Sequence, residues 1–256
     1  MILIIALGIY SAYSINNWKN ISSDIFQVKN SEVYDTDNNL IVEIGGERKQ
    51  IYVSSENIPE TLKQAYVSIE DERFYKHHGV DIKRTTAAIV SYIFHRGSSS
   101  FGGSTITQQL VKNITGDNSS SITRKIKEWS KAVQLECFYT KDEIITAYLN
   151  IIYVGPNVYG VEAGSKYYFD KSVSELTIAE EAYLAGLNHS PNSYQPFTDK
   201  DNSEKIQKRT KIALNKMIEK NYISQEQYDE AINEVDNGLK FKKIVIIGFS
   251  AGGHFC

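Results

Sequence analysis

The sequence predicts a mainly α-helical domain, preceded by a small β region and an apolar N-terminal segment that reads as a membrane anchor. Three observations carry this. Apolar residues recur at helical spacing from Leu62 to about residue 236. Short runs of strand-forming residues are confined to residues 19–58. Residues 2–18 contain no charge, and Ile2, Leu3, Ile4, Ile5, Ala6, Leu7 and Ile9 are strongly apolar.

Composition limits the alternatives. A chain of 256 residues can bury one substantial core. Its 41% hydrophobic and 23% charged residues are ordinary for a globular protein. A formal charge of −3 gives no global basic field, so nucleic acid is excluded as a partner and any anion site must be local. Cys137 and Cys256 form neither a metal-binding spacing nor a disulfide framework and read as free thiols.

The elements follow in order. Residues 1–18 are a marginal span, since crossing a membrane needs roughly 17–25 residues. They lack the basic start of a secretory signal, and Trp18 and Lys19 follow as interfacial residues do. An uncleaved anchor is therefore expected, against the alternative of a buried strand or helix. Residues 19–58 form the stalk. There, residues 34–39 read as a turn, residues 40–44 and 50–53 as strands, and Gly45-Gly46 as the turn between those strands.

The helical domain is expected over 59–238. Leu62, Ala65, Tyr66 and Ile69 mark its first helix, and Ile82–Phe94 the next. A Ser/Gly-rich loop follows at 98–103. Residues 104–107 can cap a helix through Leu110, a polar loop covers 113–121, and Thr123 opens a long helix. Further helices are expected at 142–152, at 174–187 with Ser174 as cap, and as a hairpin at 201–220 and 224–236. Residues 239–256 are an atypical tail.

Five ordered segments carry the chemistry. The first is Glu70-Asp71-x-x-Phe74-x-x-His77-x-Gly79. The second runs from Gly103-Ser104-Thr105-Ile106-Thr107-Gln108-Gln109 to Lys112-Asn113, and the third is Arg124-Lys125-Ile126-Lys127-Glu128. The fourth spans Lys141 to Gly155 and includes Tyr148, Asn150 and Tyr153; the fifth is Glu181-Ala182-Tyr183-Leu184-Ala185-Gly186, then Pro191. Together they resemble the signatures of the peptidoglycan glycosyltransferase domain, glycosyltransferase family 51, over residues 30–238. That domain occurs in class A penicillin-binding proteins and monofunctional transglycosylases.

The resemblance implies a lysozyme-like, two-lobed helical fold. It implies polymerisation of lipid II into β-1,4 glycan strands, with inversion and release of undecaprenyl diphosphate. Its partners would be lipid II, the growing glycan strand, the membrane and other cell-wall synthesis proteins. A single-pass protein of the bacterial cell membrane would then hold its catalytic domain on the extracytoplasmic face. No cofactor is required; a divalent cation (Mg or Mn) is compatible with the diphosphate, but no dedicated metal cage is visible.

The residue types suit that chemistry. A sugar hydroxyl attacking an anomeric carbon needs a base, and a departing diphosphate needs cations. By resemblance Glu70 is the base and Glu128 the second catalytic glutamate. Lys112, Arg124 and Lys125 are the diphosphate ligands, and Arg124 and Lys125 open a helix, where the dipole also favours an anion. Ser104, Thr105, Gln108 and Gln109 offer neutral hydrogen bonds to substrate, although Ser104 or Thr105 also suits a helix cap. Asp71, Phe74, His77 and Gly79 support Glu70, and Asn150 braces the fold. Taken alone, Glu70 would pass for an exposed helix glutamate, Arg124 and Lys125 for a solvated basic face, and Arg124–Glu128 for a surface pair at i,i+4.

Three departures matter. Family members carry an arginine eight residues before the second glutamate, where this chain has Ser120. No transpeptidase signature (Ser-x-x-Lys or Lys-Thr-Gly) occurs, which fits either a truncated class A protein or a monofunctional enzyme. The stretch Gly248-Phe249-Ser250-Ala251-Gly252 resembles a hydrolase elbow, but too little chain follows to supply the acid and histidine. Two rival readings remain: a non-catalytic cell-wall scaffold, suggested by Ser120, and a lytic glycan-cleaving enzyme, disfavoured because its leaving group needs no cation cluster.

Overall fold

The computed structural model describes residues 31–34, 40–44, 49–94, 103–117, 119 and 121–242. The expected anchor, residues 35–39 of the expected 34–39 turn, the 45–46 turn, most of the 98–103 loop, Ser120 and the hydrolase-like stretch lie outside the described residues. Among the described residues, no helix is long and apolar enough to cross a membrane.

The body is mainly helical. Its helices are α1 (Glu60–Glu70), α2 (Ile82–Phe94), α3 (Ile106–Thr115), α4 (Ile122–Phe138), α5 (Lys141–Ile151), α6 (Val161–Phe169), α7 (Ile178–Leu187), α8 (Ser203–Glu219) and α9 (Gln225–Asp236). Sequence-local chemistry starts most of them. Thr105, Thr140, Thr177 and Ser224 each close a capping box with a Gln or Glu three residues on, so two otherwise orphaned backbone N–H groups are satisfied reciprocally. Ser121 caps α4 by accepting from Arg124 N.

Strands are few. β1 (Ser31–Tyr34) and β2 (Leu40–Ile44) pair antiparallel, with Tyr34, expected in the 34–39 turn, paired to Leu40 in the strand. β3 is only Lys49–Gln50, and it pairs not with β2 but in parallel with β5 (Val158–Tyr159), which pairs antiparallel with β4 (Tyr153–Gly155). The strand expected over 50–53 therefore stops early. The reason is Asn150: its Oδ1 accepts from Val53 N at 2.8 Å and its Nδ2 donates to Val53 O at 2.9 Å. A side-chain amide takes the place of a neighbouring strand.

Two helix expectations are corrected, and one helix was not expected. Ser174 does not cap the helix over 174–187; it lies in a 3-10 turn at Val173–Glu175, and α7 starts after Thr177, whose box partner is Glu180. The long helix begins at Ile122 rather than Thr123, because Ser121 supplies the cap. Helix α6 carried no sequence signal. It has no side-chain cap, and Val161, Glu162, Ala163, Gly164, Ser165, Tyr168 and Phe169 are all buried, which erases any amphipathic stripe.

Two packing groups matter for function. In one, α1 and α8 lie against α7, and α9 packs on α8; in the other, α3 packs on α4 and α5. The abundant tyrosines build the core. Tyr66, Tyr148, Tyr168 and Tyr183 are fully buried or nearly so, and each hydroxyl has a partner, such as Leu184 O for Tyr66 at 3.0 Å and Val154 O for Tyr168 at 2.8 Å. Residues 239–242 join this body. Phe241 stacks on Phe169 with ring centroids 5.5 Å apart, and Lys242 N donates to Tyr168 O.

Candidate active site

The site begins where α1 ends. Glu70 is its last residue, and Arg84 Nη1 donates to the Glu70 carbonyl at 2.6 Å, a cation on an orphaned helix C-terminal carbonyl. Asp81 holds Arg84 there by accepting from Arg84 N at 3.0 Å and pairing with Arg73. The next residue, Asp71, turns inward and is fully buried. Its Oδ2 accepts from Ile106 N at 3.0 Å and sits 2.8 Å from His77 Nε2. Asp71 thus ties the end of α1 to the start of α3.

His77 does not share a helix with Phe74. A 3-10 turn covers Phe74–Lys76, and His77 follows it in extended backbone. Phe74 is fully buried, edge-on to His77 and under the Lys141 ammonium, 4.4 Å from the ring centroid. Lys141 also pairs with Glu136, which accepts from Thr107 Oγ1 at 2.6 Å. At Gly79, φ is +84°, and a Cβ would come within 2.5 Å of the Ala132 carbonyl; only glycine lets this loop approach α4 so closely.

Helices α3 and α4 supply the rest. Glu70, Arg84, Ser104, Gln108, Gln109, Lys112, Asn113, Arg124, Lys125 and Glu128 line one open cleft of about 300 Å³. It holds four cations and two carboxylates. Glu128 is buried, with one oxygen on Arg124 and the other on Lys125; Lys125 also donates to Ser104 Oγ at 2.8 Å. A buried carboxylate shared by two cations fixes both of their positions. Lys112, by contrast, is exposed and has no ion-pair partner among the described residues.

Glu70 is held from the side. Gln109 Nε2 donates to Glu70 Oε2 at 2.9 Å, Tyr148 OH donates to Gln109 Oε1 at 2.9 Å, and Asn188 Nδ2 donates to the Tyr148 hydroxyl oxygen at 2.9 Å. Burial, and then the Glu70 charge, push the Tyr148 phenol well above its ordinary range, so it remains an O–H donor.

The residues expected from sequence fall into three groups. Glu70, Glu128, Lys112, Arg124, Lys125, Ser104, Gln108 and Gln109 share the cleft. Asp71, Phe74, His77 and Gly79 lie behind it. Thr105 and Asn150 lie outside it. Thr105 is a correction to its expected substrate contact: it is fully buried, its hydroxyl donating to Gly79 O and accepting from Gln108 N, so capping consumes it. Asn113, which ends the second segment without an expected role, also lines the cleft. Arg84 and Asn188 carried no sequence signal, because only tertiary packing brings them to Glu70 or to its hydrogen-bond chain.

The transglycosylase family model matches residues 37–218. Penicillin-binding protein 1A of Clostridium perfringens (strain 13 / Type A) is 45% identical over 243 residues, covering 92% of this chain and 36% of that protein. Penicillin-binding protein 1A/1B of Bacillus subtilis (strain 168) is 41% identical over 202 residues, covering 78% of this chain and 22% of that protein. A monofunctional glycosyltransferase of Staphylococcus haemolyticus (strain JCSC1435) is 44% identical over 198 residues, covering 75% of this chain and 72% of that protein. The chain therefore spans a minor part of these penicillin-binding proteins and three quarters of its own length matches the monofunctional enzyme. With the family model covering well over half of its residues, this chain belongs to the transglycosylase family.

Proposed function

We propose that this chain is a peptidoglycan glycosyltransferase that polymerises lipid II into β-1,4 glycan strands. One observation carries the reading: a carboxylate, Glu70, shares a single open cleft with Lys112, Arg124 and Lys125. Glu70 takes the proton from the acceptor's 4-hydroxyl as that oxygen attacks the donor's anomeric carbon. The C–O bond to the diphosphate breaks on the opposite face, which inverts the centre and needs no covalent intermediate. Lys112, Arg124 and Lys125 take up the charge developing on the departing undecaprenyl diphosphate. Glu128 holds Arg124 and Lys125 in place for this.

The cleft's acids do not suit a protein-held cation. Both Glu128 oxygens are committed to Arg124 and Lys125, and no group of three metal-ligating side chains occurs among the described residues. No cofactor is required in this reading; Mg or Mn would arrive bound to the diphosphate itself. The lipid-linked substrate places the chain at the bacterial membrane, anchored once through residues 1–18, with the two-lobed, lysozyme-like domain outside the cytoplasm and alongside other cell-wall synthesis proteins.

The test is glycan polymerisation from purified lipid II in detergent by the wild-type chain and by Glu70→Gln. Ladders from wild type that vanish in Glu70→Gln support both the transferase and its base. A folded wild type that makes no ladders overturns the active enzyme and favours the scaffold.

A further inference from the structure

The three hydrogen bonds from Asn188 through Tyr148 and Gln109 to Glu70 have only one consistent direction. An ionised carboxylate only accepts, so Gln109 must present its NH₂ to Glu70. Its carbonyl oxygen then faces Tyr148 and must receive a proton donor. Tyr148 gives its single O–H there, and its oxygen lone pair accepts from Asn188 Nδ2, an NH₂ that can only donate and so keeps the hydroxyl hydrogen turned toward Gln109. The ring of Tyr148 is fixed by burial and by edge-on contact with Tyr66, itself anchored to Leu184 O.

We propose that Tyr148 and Asn188 are positioning residues that lock the Gln109 amide and thereby orient the Glu70 carboxylate. Gln109 occupies Oε2, which leaves Oε1 with no hydrogen-bond partner among the described residues and available to the acceptor hydroxyl. Without Tyr148 the amide can rotate and turn its carbonyl oxygen toward Glu70, where two acceptors repel. The chain also couples helices distant in sequence: Asn188 follows α7, Tyr148 is on α5, Gln109 on α3 and Glu70 on α1. Tyr148 is fully buried and its partners are half-buried, so breaking the chain at Tyr148 leaves a polar group shielded from water without its partner, which favours the one complete geometry.

This inference rests on the transferase reading for its kinetic consequence but not for its geometry, so two measurements separate them. In polymerisation assays, Tyr148→Phe is expected to lower kcat by about threefold to tenfold, the worth of one neutral hydrogen bond, with KM unchanged. Asn188→Ala is expected to act in the same direction, and Tyr148→Phe is expected to add nothing to Gln109→Ala. Independently of activity, the Gln109 side-chain amide signal in ¹⁵N–¹H spectra, assigned by its loss in Gln109→Ala, is expected to shift in both Tyr148→Phe and Glu70→Gln. An amide signal unmoved by Tyr148→Phe overturns the relay, as does full additivity of the two substitutions. A wild type without polymerase activity would count against the transferase, and the amide spectra would still decide the relay.

Discussion

Asp71 accepts a hydrogen bond from the Ile106 backbone N–H at 3.0 Å, so the residue next to Glu70 also holds the first turn of α3. Neighbours in sequence thus face opposite environments: Glu70 lines the cleft, and Asp71 is fully buried. Replacing Asp71 with Ala leaves Ile106 N and His77 Nε2 buried without this acceptor. A loss of about 2–4 kcal/mol is expected in urea unfolding, since each unpaired buried group costs about 1–3 kcal/mol. Asp71→Asn, which retains one acceptor oxygen, should lose clearly less; equal losses would contradict the hydrogen-bonding role.

Thr177, rather than Ser174, starts α7. Its hydroxyl accepts from Glu180 N and donates to Glu234 Oε1 at 3.0 Å, so it also ties α7 to α9. Thr177→Ala is expected to lower stability by about 1 kcal/mol or slightly more, the usual worth of a cap. Ser174→Ala should stay within about 0.5 kcal/mol of wild type, as exposed substitutions do. Thermal unfolding of the two variants side by side distinguishes the caps, and a larger loss for Ser174→Ala would reverse the assignment.

That contrast shows where the sequence was legible. Spacing located α2 within its observed bounds, and it located the α8–α9 hairpin because each of those helices turns one apolar face to the core and one charged face to water. The first two motifs converge because Glu70 ends one helix and Gln109 lies in the first turns of another. What stayed hidden depends on partners far along the chain. Residues 50–53 look like a strand, yet Asn150, about a hundred positions away, takes the hydrogen bonds a strand would make. Thr105 reads as available to substrate, yet its hydroxyl is committed to a hydrogen bond with Gly79 O. Arg84 and Asn188 carry no pattern that separates them from any surface arginine or asparagine.

Glu181 makes stability depend on pH. Burial pushes its carboxyl up from 4.5 to about 7, with a further push from Glu180, while Thr61 Oγ1 donates to Oε1 at 2.9 Å and opposes the shift. In the unfolded chain the group ionises at its ordinary value. Between about 4.5 and about 7 the folded state therefore keeps a proton that the unfolded state has lost. Stability contributed by this group falls as pH rises through that window and levels off above it. Glu181→Gln, which can still accept from Thr61, should flatten the slope and make the variant more stable than wild type at pH 8 by about 2 kcal/mol. Denaturant midpoints across that pH range check the sign; a variant less stable than wild type at pH 8 would contradict it.

Arg124 and Glu128 test the division of labour in the cleft. Arg124 lies one turn before Glu128 on α4, and Glu128 also holds Lys125, so removing the carboxylate releases two cations while removing the arginine releases none. Arg124→Lys keeps the charge but loses the planar fork, and polymerisation is expected to fall by about tenfold or more, mainly in kcat if the contact strengthens as the diphosphate departs. Glu128→Gln keeps the shape but leaves two like charges without their buried counter-ion. It should lower kcat further than Arg124→Lys, because Arg124 and Lys125 both lose their fixed positions. Added salt should weaken activity in Arg124→Lys more steeply than in wild type, since a mobile ammonium is more easily screened than a guanidinium held by a buried carboxylate. Steady-state kinetics of the two variants over a salt series decide the point. Equal salt slopes and a smaller kcat loss for Glu128→Gln would mean that Glu128 does not organise the cations.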